Sequence, residues 1–112
     1  RRGNFAQSYH GISPEDQRAK IVLAHNPDVM FAITEYYTPI DIILTGHTHG
    51  GQIRLPLIGP VPTLPIYIGQ NYDKNLFDYK GYKLFISSGV GETGTRARLF
   101  NPPEISIINI WK

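Results

Sequence analysis

The feature that most limits what this chain can become is a pair of short apolar runs that each end in histidine. Lys20 to Ala24 (KIVLA) runs into His25, and Asp41 to Thr45 (DIILT) runs into Gly46-His47-Thr48-His49-Gly50-Gly51. Both are rich in β-branched residues and too short for helices, the pattern of strands buried on both faces. Between them Asn26-Pro27-Asp28 has turn chemistry, and Val29, Met30, Ile33 and Tyr36 or Tyr37 recur at helical spacing until Pro39 stops the helix. A strand, helix, strand unit of this length predicts a parallel pair with a right-handed crossover. Both strand ends then share one edge of the sheet, where His25 meets His47 and His49.

Elsewhere the pattern is more mixed. Arg1 to Gly11 is polar and aperiodic, whereas Ser13-Pro14-Glu15-Asp16 reads as an N-cap, a proline at the first helical position and acidic residues favoured by the dipole, predicting a short helix ending near Ala19. Leu55 to Gly69 holds prolines at 56, 60, 62 and 65, with only Thr63 and the Tyr67 hydroxyl polar, which predicts a stiff apolar loop. Asn75 to Tyr79 and Tyr82 to Ser87, joined by Lys80-Gly81, predict a β-hairpin. Glu104 to Trp111 predicts a closing strand, with Ile105 and Ile107 on one face and Ser106, Ile108 and Ile110 on the other.

A chain of 112 residues with 41% hydrophobic content buries one modest core, so it is one domain or one piece of a larger domain. The net charge of +2 comes without a basic run, so charge indicates neither nucleic acid nor an anionic membrane as partner. Without cysteine there are no disulfides, thiolate zinc sites or thiol nucleophiles, and any metal must be held by His, carboxylate or amide oxygen. The chain opens on Arg1-Arg2-Gly3, with no methionine, signal segment or long apolar run, and an upstream region is expected. The expected location is cytoplasmic or membrane-peripheral.

A lone histidine at a strand end is more often a hydrogen-bonded structural residue than a ligand, and His10 is read as a surface residue. The joint arrangement of the other three alters that balance, because ligands of open α/β sheets bind beyond the strand ends. Two imidazoles two positions apart on a glycine-rich loop can diverge toward two neighbouring ions. A two-ion site suits phosphate ester cleavage, since the ions acidify water and stabilise the attacking and leaving oxygens. A mononuclear zinc site held by the three histidines is the competing arrangement.

Leu23-Ala24-His25-Asn26-Pro27-Asp28, Gly46-His47-Thr48-His49-Gly50-Gly51-Gln52-Ile53-Arg54-Leu55-Pro56, Ser87-Ser88-Gly89-Val90-Gly91 and Arg98-Leu99-Phe100-Asn101-Pro102-Pro103-Glu104-Ile105 follow in this order. Together they resemble the C-terminal half of bacterial calcineurin-like metallophosphoesterases, nearest the YkuE/YaeI-like phosphodiesterase branch, which includes enzymes similar to UDP-2,3-diacylglucosamine hydrolases. The resemblance implies an α/β class and the C-terminal half of a four-layer α/β/β/α sandwich with mixed sheets. It implies two divalent or trivalent ions (Mn, Zn or Fe), His25 and His47 as ligands of one and His49 of the other. The implied reaction is hydrolysis of a phosphodiester, phosphomonoester or pyrophosphate bond by activated water.

The family's Asp-x-His pair, bridging Asp and Asn-His lie in its N-terminal half and have no counterpart here; Gly3-Asn4-Phe5 carries phenylalanine where histidine is required. The chain alone is therefore expected to be inactive, with the N-terminal half of the same domain as its first partner. The other expected partner is a phosphate ester, lipid-linked if Leu55 to Gly69 edges the site and touches lipid or a membrane surface. A non-catalytic interaction module using that loop is the alternative. Arg98 is the favoured ligand for substrate phosphate, ahead of Arg54 and Arg96. Asn26 and Asp28 read as turn residues or as partners orienting an imidazole, and the Gly89 to Gly94 loop as a source of backbone N–H groups near phosphate.

Overall fold

The computed structural model describes residues 4–36 and 39–111. In chain order it contains α1 (Phe5–Tyr9), β1 (Ile21–Leu23), α2 (Val29–Tyr36), β2 (Ile42–Thr45), a 3-10 turn (His49–Gly51), β3 (Arg54–Leu55), β4 (Gly59–Pro60), β5 (Asn75–Tyr79) and β6 (Tyr82–Ile86). Four strands form one mixed sheet in the order β1-β2-β6-β5. β1, β2 and β6 run parallel, and β5 is antiparallel to β6. β3 and β4 form a separate two-stranded ribbon.

Alternation along the strands decides which face is covered. Ile43 of β2 and Leu84 and Ile86 of β6 point to one face and pack with Met30 and Ile33 of α2, all five fully buried. Each such side chain contributes about 1.5–3 kcal/mol through its removal from water. The β5–β6 turn is the expected Lys80-Gly81 pair, both at positive φ (52° and 86°), the geometry whose twist matches that of the flanking strands.

Three expectations fail. Residues 13–19 form turns rather than a helix, because Ser13 Oγ accepts from Glu15 N at 3.2 Å and the Asp16 carboxylate accepts from Arg18 N at 2.9 Å. Such local bonds compete with helix formation. The short helix lies earlier, at Phe5–Tyr9, with the Asn4 side chain accepting from Gln7 N. β1 is not buried on both faces: Val22 packs toward the core, while Ile21 and Leu23 stay exposed on the other side. Finally, residues 104–111 join no strand, and Ile105, Ile107 and Trp111 are exposed. Among the described residues there is thus one mixed sheet with α2 on one face and the ribbon beside it. No helix among them is long and apolar enough to cross a membrane.

Candidate metal centre

The β-ladder continues past the ends of the strands and sets the histidines side by side. Ala24 N donates to Leu44 O at 3.0 Å, Gly46 N to His25 O at 3.1 Å, and Ser87 N to Thr45 O at 2.9 Å. His25 is thereby latched next to Gly46-His47, and its Nε2 lies 2.9 Å from His47 Nδ1. The rings meet edge to face with centroids 4.7 Å apart.

His47 Nε2 lies 3.2 Å from the Pro65 carbonyl. A carbonyl only accepts, so Nε2 carries the proton and Nδ1 presents a lone pair toward His25. Metal-ligating imidazoles usually donate their second nitrogen in this way. Two imidazole nitrogens on one tetrahedral ion, with bonds of about 2.0–2.1 Å, stand about 3.3 Å apart; the observed 2.9 Å is a hydrogen bond in which His25 Nε2 donates to His47 Nδ1. His49 makes the same kind of bond elsewhere, from Nδ1 to Gly91 O at 3.2 Å, and its Nε2 has no hydrogen-bond partner among the described residues. Among the described residues, no three His, Asp or Glu side chains converge on one point. The chain offers an imidazole pair and a separate third imidazole.

The loop carrying His47 and His49 is held in an unusual backbone. His47 and His49 have φ of 71° and 51°, with Thr48 between them in the right-handed region at −70°. Positive φ is uncommon outside glycine and persists only where surrounding contacts impose it. Here buried Thr48 accepts from Gly50 N and donates to Asp73 O. Arg54 pairs with Asp73 and donates to Gly50 O. Asn101 Nδ2 donates to His49 O at 2.7 Å and its Oδ1 accepts from Lys74 Nζ at 2.9 Å. A Cβ on Gly51 would stand 2.3 Å from Pro60 Cβ, so only glycine fits there.

Arg98, the candidate for substrate phosphate, turns inward. Its Nη2 donates to the carbonyls of Ser88 (2.9 Å), Gly89 (3.1 Å) and Gly91 (2.6 Å), and Nη1 to Asn101 O (3.3 Å). Its Nε is buried with no partner among the described residues. Arg98 fixes the loop whose Gly91 carbonyl receives His49. Arg54 is likewise engaged internally, whereas Arg96 is exposed. Gln52, buried, accepts from Thr93 N and donates to Thr93 O and Thr95 O at 3.1 Å, pinning the far side of the same loop. His10 is exposed.

Asn26 is a turn residue, its Oδ1 accepting from Asp28 N at 2.8 Å. Asp28 Oδ1 instead accepts from Tyr67 N (2.7 Å) and Ile68 N (3.0 Å), anchoring the apolar loop whose Pro65 carbonyl receives His47. Leu64 and Ile66 bury that end of the loop, while Leu57, Ile58 and Val61 are exposed. Asp73, Asn101, Gln52 and the Pro65 carbonyl carry no motif of their own in the sequence. Gln52 and Asn101 do stand inside the resembling segments, which was the one signal available for them.

The chain is 35% identical, over 85% of its length, to the uncharacterized metallophosphoesterase YkuE of Bacillus subtilis. The chain belongs to the metallophosphoesterases. It is also 35% identical to the phosphodiesterase YaeI of Escherichia coli over 81% of its length, and to the UDP-2,3-diacylglucosamine pyrophosphatase LpxG of Chlamydia muridarum over 79%. It spans 32%, 32% and 28% of these relatives, so this metallophosphoesterase chain corresponds to about a third of their length, in their C-terminal part. No family model and no solved structure matches it. Membership of the metallophosphoesterases implies metal ions, and the three histidines at the strand ends are donors of a suitable kind.

Proposed function

We propose that this chain is the C-terminal half of a two-metal phosphoesterase domain that hydrolyses a phosphodiester, phosphomonoester or pyrophosphate bond. His25 and His47 serve one ion and His49 the other, and an N-terminal half supplies the bridging carboxylate and remaining ligands. The observation that carries this reading is the approach of His25 Nε2 to His47 Nδ1 with the second nitrogen of His47 committed to the Pro65 carbonyl. Relatives named as a phosphodiesterase and a pyrophosphatase support the bond class. When bound, manganese, zinc or iron ions would supply Lewis acidity to a phosphoryl oxygen and to water.

This chain's own residues orient the donors. Pro65 O and Gly91 O each fix an imidazole tautomer, Asp28 and Arg98 hold the two loops that present those carbonyls, and Asn101 holds the His49 backbone. The open apolar groove on the sheet, lined by exposed Leu23 and half-buried Phe85, suits a second sheet packed across it, as in a four-layer sandwich. The test is turnover of a soluble chromogenic phosphodiester by the full-length protein and its His47→Ala variant. The expected result is a loss of at least about 100-fold with the melting temperature nearly unchanged, because a half-exposed ligand carries little of the core. Wild-type turnover in the variant overturns the assignment.

A further inference from the structure

His49 is held at two points, and one side chain reaches behind both. Its ring donates from Nδ1 to Gly91 O at 3.2 Å, and its backbone carbonyl accepts from Asn101 Nδ2 at 2.7 Å. Arg98 Nη2 donates to that same Gly91 carbonyl at 2.6 Å, and its Nη1 donates to the main-chain carbonyl of Asn101 at 3.3 Å. Two further Nη2 bonds, to Ser88 O and Gly89 O, tie the start of the 88–98 loop to the same guanidinium. A planar fork spans these four carbonyls at once, whereas a lysine ammonium is a point charge on a flexible stem. The support matters because His49 sits at φ of 51°, a conformation that persists only where neighbouring contacts impose it.

His25 and His47 rest on other residues. Gly46 N bonds His25 O, Pro65 O receives His47 Nε2, and Asp28 holds the loop that carries Pro65. Among the described residues, Arg98 makes no hydrogen bond to any of these. The two ligand groups therefore have separate supports. We propose that Arg98 is a positioning residue for His49 alone, so that the ion served by His49 depends on Arg98 while the ion served by His25 and His47 does not. The metal part of this inference rests on the two-metal reading; the positioning of the His49 ring does not. With both terminal nitrogens on carbonyls and Nε buried, the guanidinium faces the loop and the back of His49, not a phosphate.

The test is Arg98→Lys in the full-length protein, with His49→Ala as the reference. Elemental mass spectrometry should find two ions in the wild type and one in each variant, with affinity for the lost ion reduced at least about tenfold. In metal-stripped protein, long-range nitrogen–proton NMR correlations should show His49 protonated at Nδ1 in the wild type, and that form should be lost in Arg98→Lys. His47 in the same spectra should stay protonated at Nε2, which a general loosening of the fold would not allow. An unchanged His49 signal overturns the positioning, and so does a change at His47 and His49 together. Two ions retained in Arg98→Lys but not in His49→Ala overturn the dependence, and a raised KM for a soluble phosphodiester with unchanged kcat would then assign Arg98 to substrate. Two ions retained in His49→Ala overturn the two-metal reading instead, and the His49 signal then decides the positioning by itself.

Discussion

An imidazole that donates one nitrogen to a fixed carbonyl offers the other as a lone pair in a fixed direction, and His47 and His49 are both placed this way. Asp28 acts one step behind His47 by holding Tyr67 N and Ile68 N. Asp28→Ala in the full-length protein is expected to weaken metal binding about 10- to 100-fold, as the loss of supporting bonds around a metal site commonly does. A competitive chelator titration measures this, and wild-type affinity would remove Asp28 from the support of the site. Gly51 and Gly81 separate backbone strain from crowding. Both have positive φ, but a Cβ at Gly81 meets open space whereas one at Gly51 overlaps Pro60. Gly51→Ala should therefore cost about 1–3 kcal/mol more than Gly81→Ala in urea unfolding. Equal costs would show that the ribbon yields to the added methyl.

The β1–α2–β2 unit and the β5–β6 hairpin are legible in the sequence because their side-chain periods and their turns agree. Leu84→Ala, at the centre of the resulting core, should cost about 2–5 kcal/mol in urea unfolding, and a cost under about 1 kcal/mol would mean that the sheet and α2 do not pack there. The segment at residues 13–19 misleads because serine and aspartate there serve helix caps and isolated turns equally well. From their apolar content residues 104–111 read as a closing strand and β1 as a strand buried on both faces. Nothing in the local pattern says whether a covering layer belongs to the same stretch of chain. At the site, the meeting of His25 and His47 follows from strand order alone. The turning of Arg98 toward loop carbonyls does not, since a guanidinium suits carbonyls and phosphate alike.

For the molecule as a whole, the uncovered sheet face and the exposed 104–111 arm go together. Leu23, Leu44, Phe85, Val90, Ile105 and Ile108 line one open groove of about 690 Å³ beside His25. A layer laid across it would bring further ligands to the edge where the histidines already stand. The chain by itself is therefore expected to show no phosphodiester turnover, and mixing with its N-terminal half should restore it; turnover by the chain alone would contradict the two-half account. The most direct measurement is the metal content of the purified full-length protein and its His47→Ala variant by elemental mass spectrometry. The account predicts two ions per wild-type chain and a lower content in the variant. One ion per wild-type chain, or the same content in both, would contradict a two-metal centre built on His25, His47 and His49.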